Sequence, residues 1–201
     1  MLSFRYELPA DGGGGRAPLE RRFFGVGLAL PSNAEEAERV CEWVRELGVG
    51  SVRVDFSTAQ DRSVAEEFIG RLHGMGLEIV LHLVQPIERA RVMTTAEAKA
   101  EWRDFLEGSV APLLGRIQAV EVGSTINRAK WSGYSLEGFL EAWDIAYRFC
   151  RHRSCLLVGP NVTDFEPQYN AGVLGILAKR KQLPDIHSNN LFAERAIEPE
   201  A

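Results

Sequence analysis

Short runs of apolar and β-branched residues recur along this chain at intervals of about 30 to 35 residues, with helical patterns between them, and this alternation restricts the fold more than any other feature. The runs occupy residues 23–30, 51–56, 78–83, 117–122, 155–159 and 185–191. Their length and Val/Ile/Leu content predict buried strands. The intervening segments are amphipathic. Asn33 is placed to cap a helix whose Ala37, Val40, Cys41, Val44 and Leu47 share one face, and Gly48 stops it. Ser63, with Glu66 or Glu67 about three positions on, opens a second helix carrying Phe68, Leu72 and Met75. A third runs over 95–114 with Trp102, Phe105 and Leu106, and breaks near Pro112; a fourth over 135–149 turns Phe139, Trp143, Ala146 and Tyr147 inward; a short fifth covers 172–181.

Strands joined through helices are parallel strands with right-handed crossovers. Two architectures satisfy that rule, a doubly wound sheet and a (β/α)8 barrel. The first strand-to-helix turn speaks against a dinucleotide-binding sheet. Gly25-Val26-Gly27 lies inside the strand and no third glycine opens a helix behind it. Polar residues at strand C-termini favour the barrel, because there they converge on one mouth: Arg53 and Asp55, His82 and Gln85, Glu121, Asn161, and His187 with Asn189. The expected fold class is therefore α/β, with parallel (β/α) units in a TIM-barrel-like, incomplete or open barrel of about six strands. Residues 1–22, with Gly12 to Gly15, read as a flexible lead, and 23–201 as one barrel-like domain cut short after its sixth strand.

Composition narrows the partners. A net charge of -5 is spread over scattered acids and bases with no basic stripe, so nucleic acid is not an expected partner. No apolar run reaches the roughly 20 residues that span a bilayer, and the N-terminal stretch has no apolar core of the kind a secretory signal needs. Cys41, Cys150 and Cys155 lack metal-ligand spacing and read as reduced core thiols of a cytoplasmic protein. His73, His82, His152 and His187 likewise lack ligand spacing, so neither a metal nor a cofactor is expected. There is no nucleophile elbow, no HExxH, no phosphate-binding loop and no CxxC.

Several segments together carry a resemblance. They are SVRVDFS with Arg53, LHLVQP with His82, EVGSTINRAKWSGYS from Glu121 to Ser135, LLVGPNV with Pro160 and Asn161, and DIHSNN with His187. Over residues 23–192 the chain resembles the first six units of a clan A (β/α)8 glycoside hydrolase, most specifically in the fourth-strand segment and its Trp-Ser-Gly loop. The resemblance implies cleavage of O-glycosidic bonds by a retaining mechanism and a carbohydrate ligand. It also implies that Arg53 sits near the nucleophile, His82 lines a sugar subsite, and Asn127 and Trp131 belong to a substrate loop, with Asn161 and His187 at the same mouth. For three of these residues a structural role is the alternative: Arg53 bridging barrel layers to Asp55 or Glu121, His82 as a satisfied core histidine, Trp131 folded over its own helix.

Two departures from the family pattern bear on the chemistry. Ser124 and Thr125 stand where the family has Asn and its acid/base Glu, and a hydroxyl cannot protonate a leaving oxygen as a carboxylic acid of raised pKa does. The family nucleophile belongs to a seventh strand, beyond the last run found here. Glu121 and Glu166 are the carboxylates nearest to substitutes. Glu121 points inward but deep, and beside Arg53 it would be ionised; Glu166 lies with Asp164 in a loop that reads first as a solvated connector and second as a reach toward a ligand at the mouth. Three readings follow: a hydrolase-like enzyme, a non-catalytic carbohydrate-binding or scaffold protein, and a fragment of a longer glycosidase. Unpaired first and sixth strands also predict self-association through the open edges.

Overall fold

The computed structural model describes residues 21–164 and 166–191; the expected lead before residue 21 and the segment 192–201 lie outside the described residues. Six strands form one sheet: β1 (Gly25–Ala29), β2 (Ser51–Ser57), β3 (Glu78–Val84), β4 (Ala119–Val122), β5 (Leu156–Thr163) and β6 (Ile186–Asn190). Their order in the sheet is the order in the chain, and each neighbouring pair is parallel. Right-handed crossovers without a reversal of strand order put every covering helix on one face, which removes the doubly wound alternative.

That face is covered by α1 (Ala34–Leu47), α2 (Arg62–Gly74), α3 (Ile87–Arg91), α4 (Ala96–Phe105), α5 (Ala129–Ser132), α6 (Leu136–His152) and α7 (Pro167–Lys179). Asn33 caps α1 by accepting from the Glu36 amide at 2.9 Å, and Gly48 closes it at φ 66°, a left-handed position where a side chain is unfavourable. The cap of α2 is Asp61 rather than Ser63. Its carboxylate takes both the Ser63 amide at 2.7 Å and the Ser63 hydroxyl at 2.6 Å, so the serine is consumed as a donor. The predicted third helix, 95–114, is three pieces: α4, a π-helical turn Leu106–Val110, and a 3-10 turn Ala111–Leu113 containing Pro112, which has no amide to continue the α pattern. The fifth strand runs on to Thr163, and the last helix begins at Pro167 rather than 172.

The core lies between sheet and helices. Val52, Val54 and Phe56 of β2 and Ile79, Leu81 and Leu83 of β3 alternate toward Phe68, Ile69 and Leu72 of α2, while Trp102, Phe139 and Trp143 fill the space behind β3 to β5. Both tryptophan N–H groups are satisfied there, Trp102 by the Ala142 carbonyl at 3.1 Å and Trp143 by the Gln182 carbonyl at 2.9 Å.

The opposite face is concave. On a flat sheet strands two apart are separated by about 9.6 Å, yet side chains from β2 and β6 both reach Glu121 on β4, across β3 and β5 respectively. The sheet is a curled, open half-barrel, as the alternation predicts. The rest of the barrel wall is absent among the described residues, so the lumen face that a closed barrel packs with side chains is open to solvent along β1 and β6.

Candidate functional site

Glu121 organises the lumen. It is 2% exposed, and its two carboxylate oxygens accept three hydrogen bonds: from Arg53 Nε at 2.5 Å, from Asn161 Nδ2 at 2.7 Å and from Ser188 Oγ at 2.8 Å. Arg53 also pairs with Asp55 at 3.0 Å, and the Asp55 carboxylate is 2.7 Å from His82 Nδ1. The other ring nitrogen of His82, itself buried, lies 3.1 Å from the Gly123 carbonyl. One chain of contacts thus joins β2, β3, β4, β5 and β6. Burial drives the Glu121 pKa upward, but the charges of His82 and Arg53, with the hydrogen bonds from Arg53 and Asn161, outweigh it and hold the carboxyl below its ordinary range. Asp55 follows the same balance: burial raises it, while the His82 bond and charge and the Arg53 charge bring it down.

The loop after β4 is fastened to the end of β5. Thr125 sits at φ 54°, unfavourable for a β-branched residue, with its hydroxyl oxygen accepting from Thr163 Oγ1 at 2.9 Å. Asn127 pairs its amide with the Thr163 backbone in both directions, at 2.8 and 2.9 Å, like a short piece of ladder. Asn161, at φ 55° and 5% exposed, gives its amide to Glu121 and accepts from the Thr125 amide at 3.4 Å. Glu166 is tied to Arg128 at 2.6 Å, and Arg128 reaches Asp164 at 3.1 Å. A hydrogen bond from Asn127 does most to lower the Glu166 pKa; burial opposes it, and the hydrogen bond and charge of Arg128 bring it down further.

These contacts sort the predicted residues. Arg53, Glu121 and Asn161 line a cavity of about 350 Å³ together with Val80, Val158, Ser188, Asn189 and Asn190. His82 belongs to the same network but is covered. Asn127 and Glu166 are engaged in holding the loop. Trp131 stands on α5, 65% exposed, outside the cavity lining, with Lys130 Nζ 5.3 Å from its ring. On β6 Ser188 reaches Glu121, whereas His187 Nδ1 lies 3.3 Å from the Gly159 carbonyl. Ser188 and Asn190 were not among the residues sequence reasoning selected. The register shift between Pro160 and Val162 moves β6 past β5 at this level, and a period of two leaves the inward parity open. Among the described residues no group of three His, Cys, Asp or Glu side chains could hold a metal ion, and no helix is long and apolar enough to cross a membrane.

No protein-family model and no curated protein matches the sequence. Solved structures do. The chain is similar to N2152 from Neocallimastix frontalis, with a TM-score of 0.54 and 15% identity over 81% of this chain and 42% of that one. It is also similar to an AP endonuclease, family 2, from Brucella melitensis, with a TM-score of 0.51 and 18% identity over 81% of this chain and 65% of that one. The chain therefore spans less than two thirds of the length of either. At these identities the likeness establishes the TIM-barrel-like fold and leaves the chemistry to the site.

Proposed function

We propose that this protein is a glycoside-hydrolase-like pseudoenzyme, descended from enzymes that cleave O-glycosidic bonds, which binds a carbohydrate in its open lumen without cleaving it. The observation that carries this reading is the state of Glu121: ionised, covered, and already accepting three hydrogen bonds. A retaining hydrolase needs one carboxyl that holds a proton near neutrality and a second, about 5 to 5.5 Å away, free to attack. Here Asp55, Glu121 and Glu166 are all held below their ordinary range by cationic or hydrogen-bond partners, so none stores a proton to give. Thr125, at the position matching the family acid, is hydrogen-bonded to Thr163 and has no proton acidic enough to take that role.

What the lumen offers instead suits a neutral polyol. Arg53 presents donors, Ser188, whose proton goes to Glu121, presents acceptor lone pairs, Asn189 and Asn190 present both donors and acceptors, and Val80 and Val158 form an apolar floor. Sugars carry the same mixture, hydroxyls around the rim of a ring and C–H groups on its faces. The cavity of about 350 Å³ is at the small end of ligand sites, a size that suits one or two sugar rings. Three buried free thiols suit a reducing compartment, and the proposed location is the cytoplasm.

The test pairs titration calorimetry against a panel of mono- and oligosaccharides with an aryl-glycoside turnover assay on the same preparation. The reading expects saturable binding, weakened at least fivefold by Asn190→Ala, with no turnover. Hydrolysis above background, or no binding by any member of the panel, overturns it.

A further inference from the structure

We infer that two copies of this chain associate edge to edge through β1 and the outer flank of α1. Among the described residues β1 pairs only with β2, leaving its other side with unpaired amides and carbonyls. Edge strands of monomers are ordinarily protected by a charge, a proline or a bulge. The sequence of β1, GVGLA, has neither charge nor proline, and its pairing with β2 runs through five residues without a shift.

The helix beside it is exposed in the same direction. Glu38, Cys41, Glu42 and Arg45 of α1 line a groove with Arg71 and Met75, which fixes the flank of α1 that faces α2. At 3.6 residues per turn Trp43 and Leu47 fall on the opposite flank, one turn apart, above the free β1 edge. They are 55% and 63% exposed, and Phe23 and Phe24, just before β1, are 60% and 59% exposed. Trp43 and Leu47 at these exposures offer roughly 250 Å² of apolar surface. That is nearly a third of the about 800 Å² that each partner contributes to a standard interface, and the β1 backbone adds to it.

The occupant that fits is a second copy of the same edge. Antiparallel pairing of β1 with its symmetry mate is isologous, so it closes at a dimer, satisfies both strands and brings the two α1 flanks together. The β6 edge is a poorer candidate, because its exposed apolar residues, Leu183, Ile186 and Leu191, are aliphatic, whereas interface cores are enriched in aromatic side chains.

Size-exclusion chromatography with light scattering across a hundredfold dilution series tests this on the full chain. Twice the chain mass is expected at the concentrated end. Trp43→Glu and Leu47→Lys, both on exposed helix surface, are each expected to weaken the dimer more than tenfold with an unchanged circular dichroism spectrum, while Leu183→Glu on the β6 side leaves it intact. A wild-type monomer at every concentration overturns the proposal. So does a dimer insensitive to Trp43→Glu and Leu47→Lys, or one that Leu183→Glu dissociates.

Discussion

Arg53 and Glu121 stand on strands separated by β3 and nevertheless meet, Nε to Oε2, at 2.5 Å. The contact spans the concave face of the sheet, and it also determines what Glu121 can do. A buried carboxylate beside a guanidinium is favoured as the anion, and as an anion it accepts from Asn161 and Ser188 as well. Cohesion of the lumen and the ionised state of Glu121 thus share one cause.

Replacing Glu121 by Gln removes one counter-charge from Arg53, which is partly exposed and keeps Asp55, so the expected cost is that of a charge-assisted hydrogen bond, about 2 kcal/mol. Chemical denaturation should show that loss at pH 7. The pH dependence follows from the lowered folded pKa. The ionised carboxyl contributes stability fully above its ordinary value of 4.5, and the contribution disappears as pH falls through the lower folded value, because the unfolded chain takes up the proton first. Wild-type stability should therefore fall on acidification below about pH 4.5 more steeply than that of E121Q, and the two curves should approach each other.

Gly123 ends β4 at φ 96°, and a Cβ built there would lie 2.6 Å from the Pro160 carbonyl oxygen and 2.9 Å from the Phe139 ring. Neither neighbour is the free end of a flexible chain. Gly123→Ala should destabilise the protein by about 3 kcal/mol, combining positive-φ strain with backbone crowding, and should displace the carbonyl that His82 contacts. Thermal unfolding measures the first effect, and the His82 ring resonances in NMR report the second.

The pairing of Asn127 with the Thr163 backbone replaces two hydrogen bonds that a regular strand would otherwise make. Asn127→Ala should cost about 2 kcal/mol, the sum of two ordinary hydrogen bonds, and should speed amide exchange at Thr163. Unchanged protection there would show that the loop is held by other contacts.

Four tryptophans divide two and two: Trp102 and Trp143 are at most 1% exposed, and Trp43 and Trp131 are 55% and 65% exposed. Trp131→Ala should leave the melting temperature unchanged and remove much of the acrylamide-quenchable fluorescence. Saccharide affinity should also be unaffected, since the indole is outside the cavity lining.

The fold was legible because its signals are local. Strand runs, the Asn33 cap and the Gly48 stop depend on neighbours a few residues away, and all lie within two residues of the observed elements except the end of the fifth strand, which runs four residues further, to Thr163. The competition between Asp61 and Ser63 for one helix cap was less readable, since either side chain suits that position and the choice depends on which oxygen accepts. The site was legible only in part. Inward parity of β2 and β4 gave Arg53 and Glu121, but Ser188 depends on a register shift made in β5, and the engagement of Asn127 depends on where the end of β5 lies in space. Orientation of Trp131 depends on α5, a four-residue helix with no hydrophobic period to read.

The most direct test of the account is calorimetric titration of the full chain with the oligosaccharide panel, followed by analysis of the same sample for released reducing sugar. The account predicts heat of binding, a fully recoverable ligand, and weaker binding in Asn190→Ala. New reducing ends that accumulate with time, and that E121Q abolishes, would contradict it by showing that Glu121 takes part in bond cleavage.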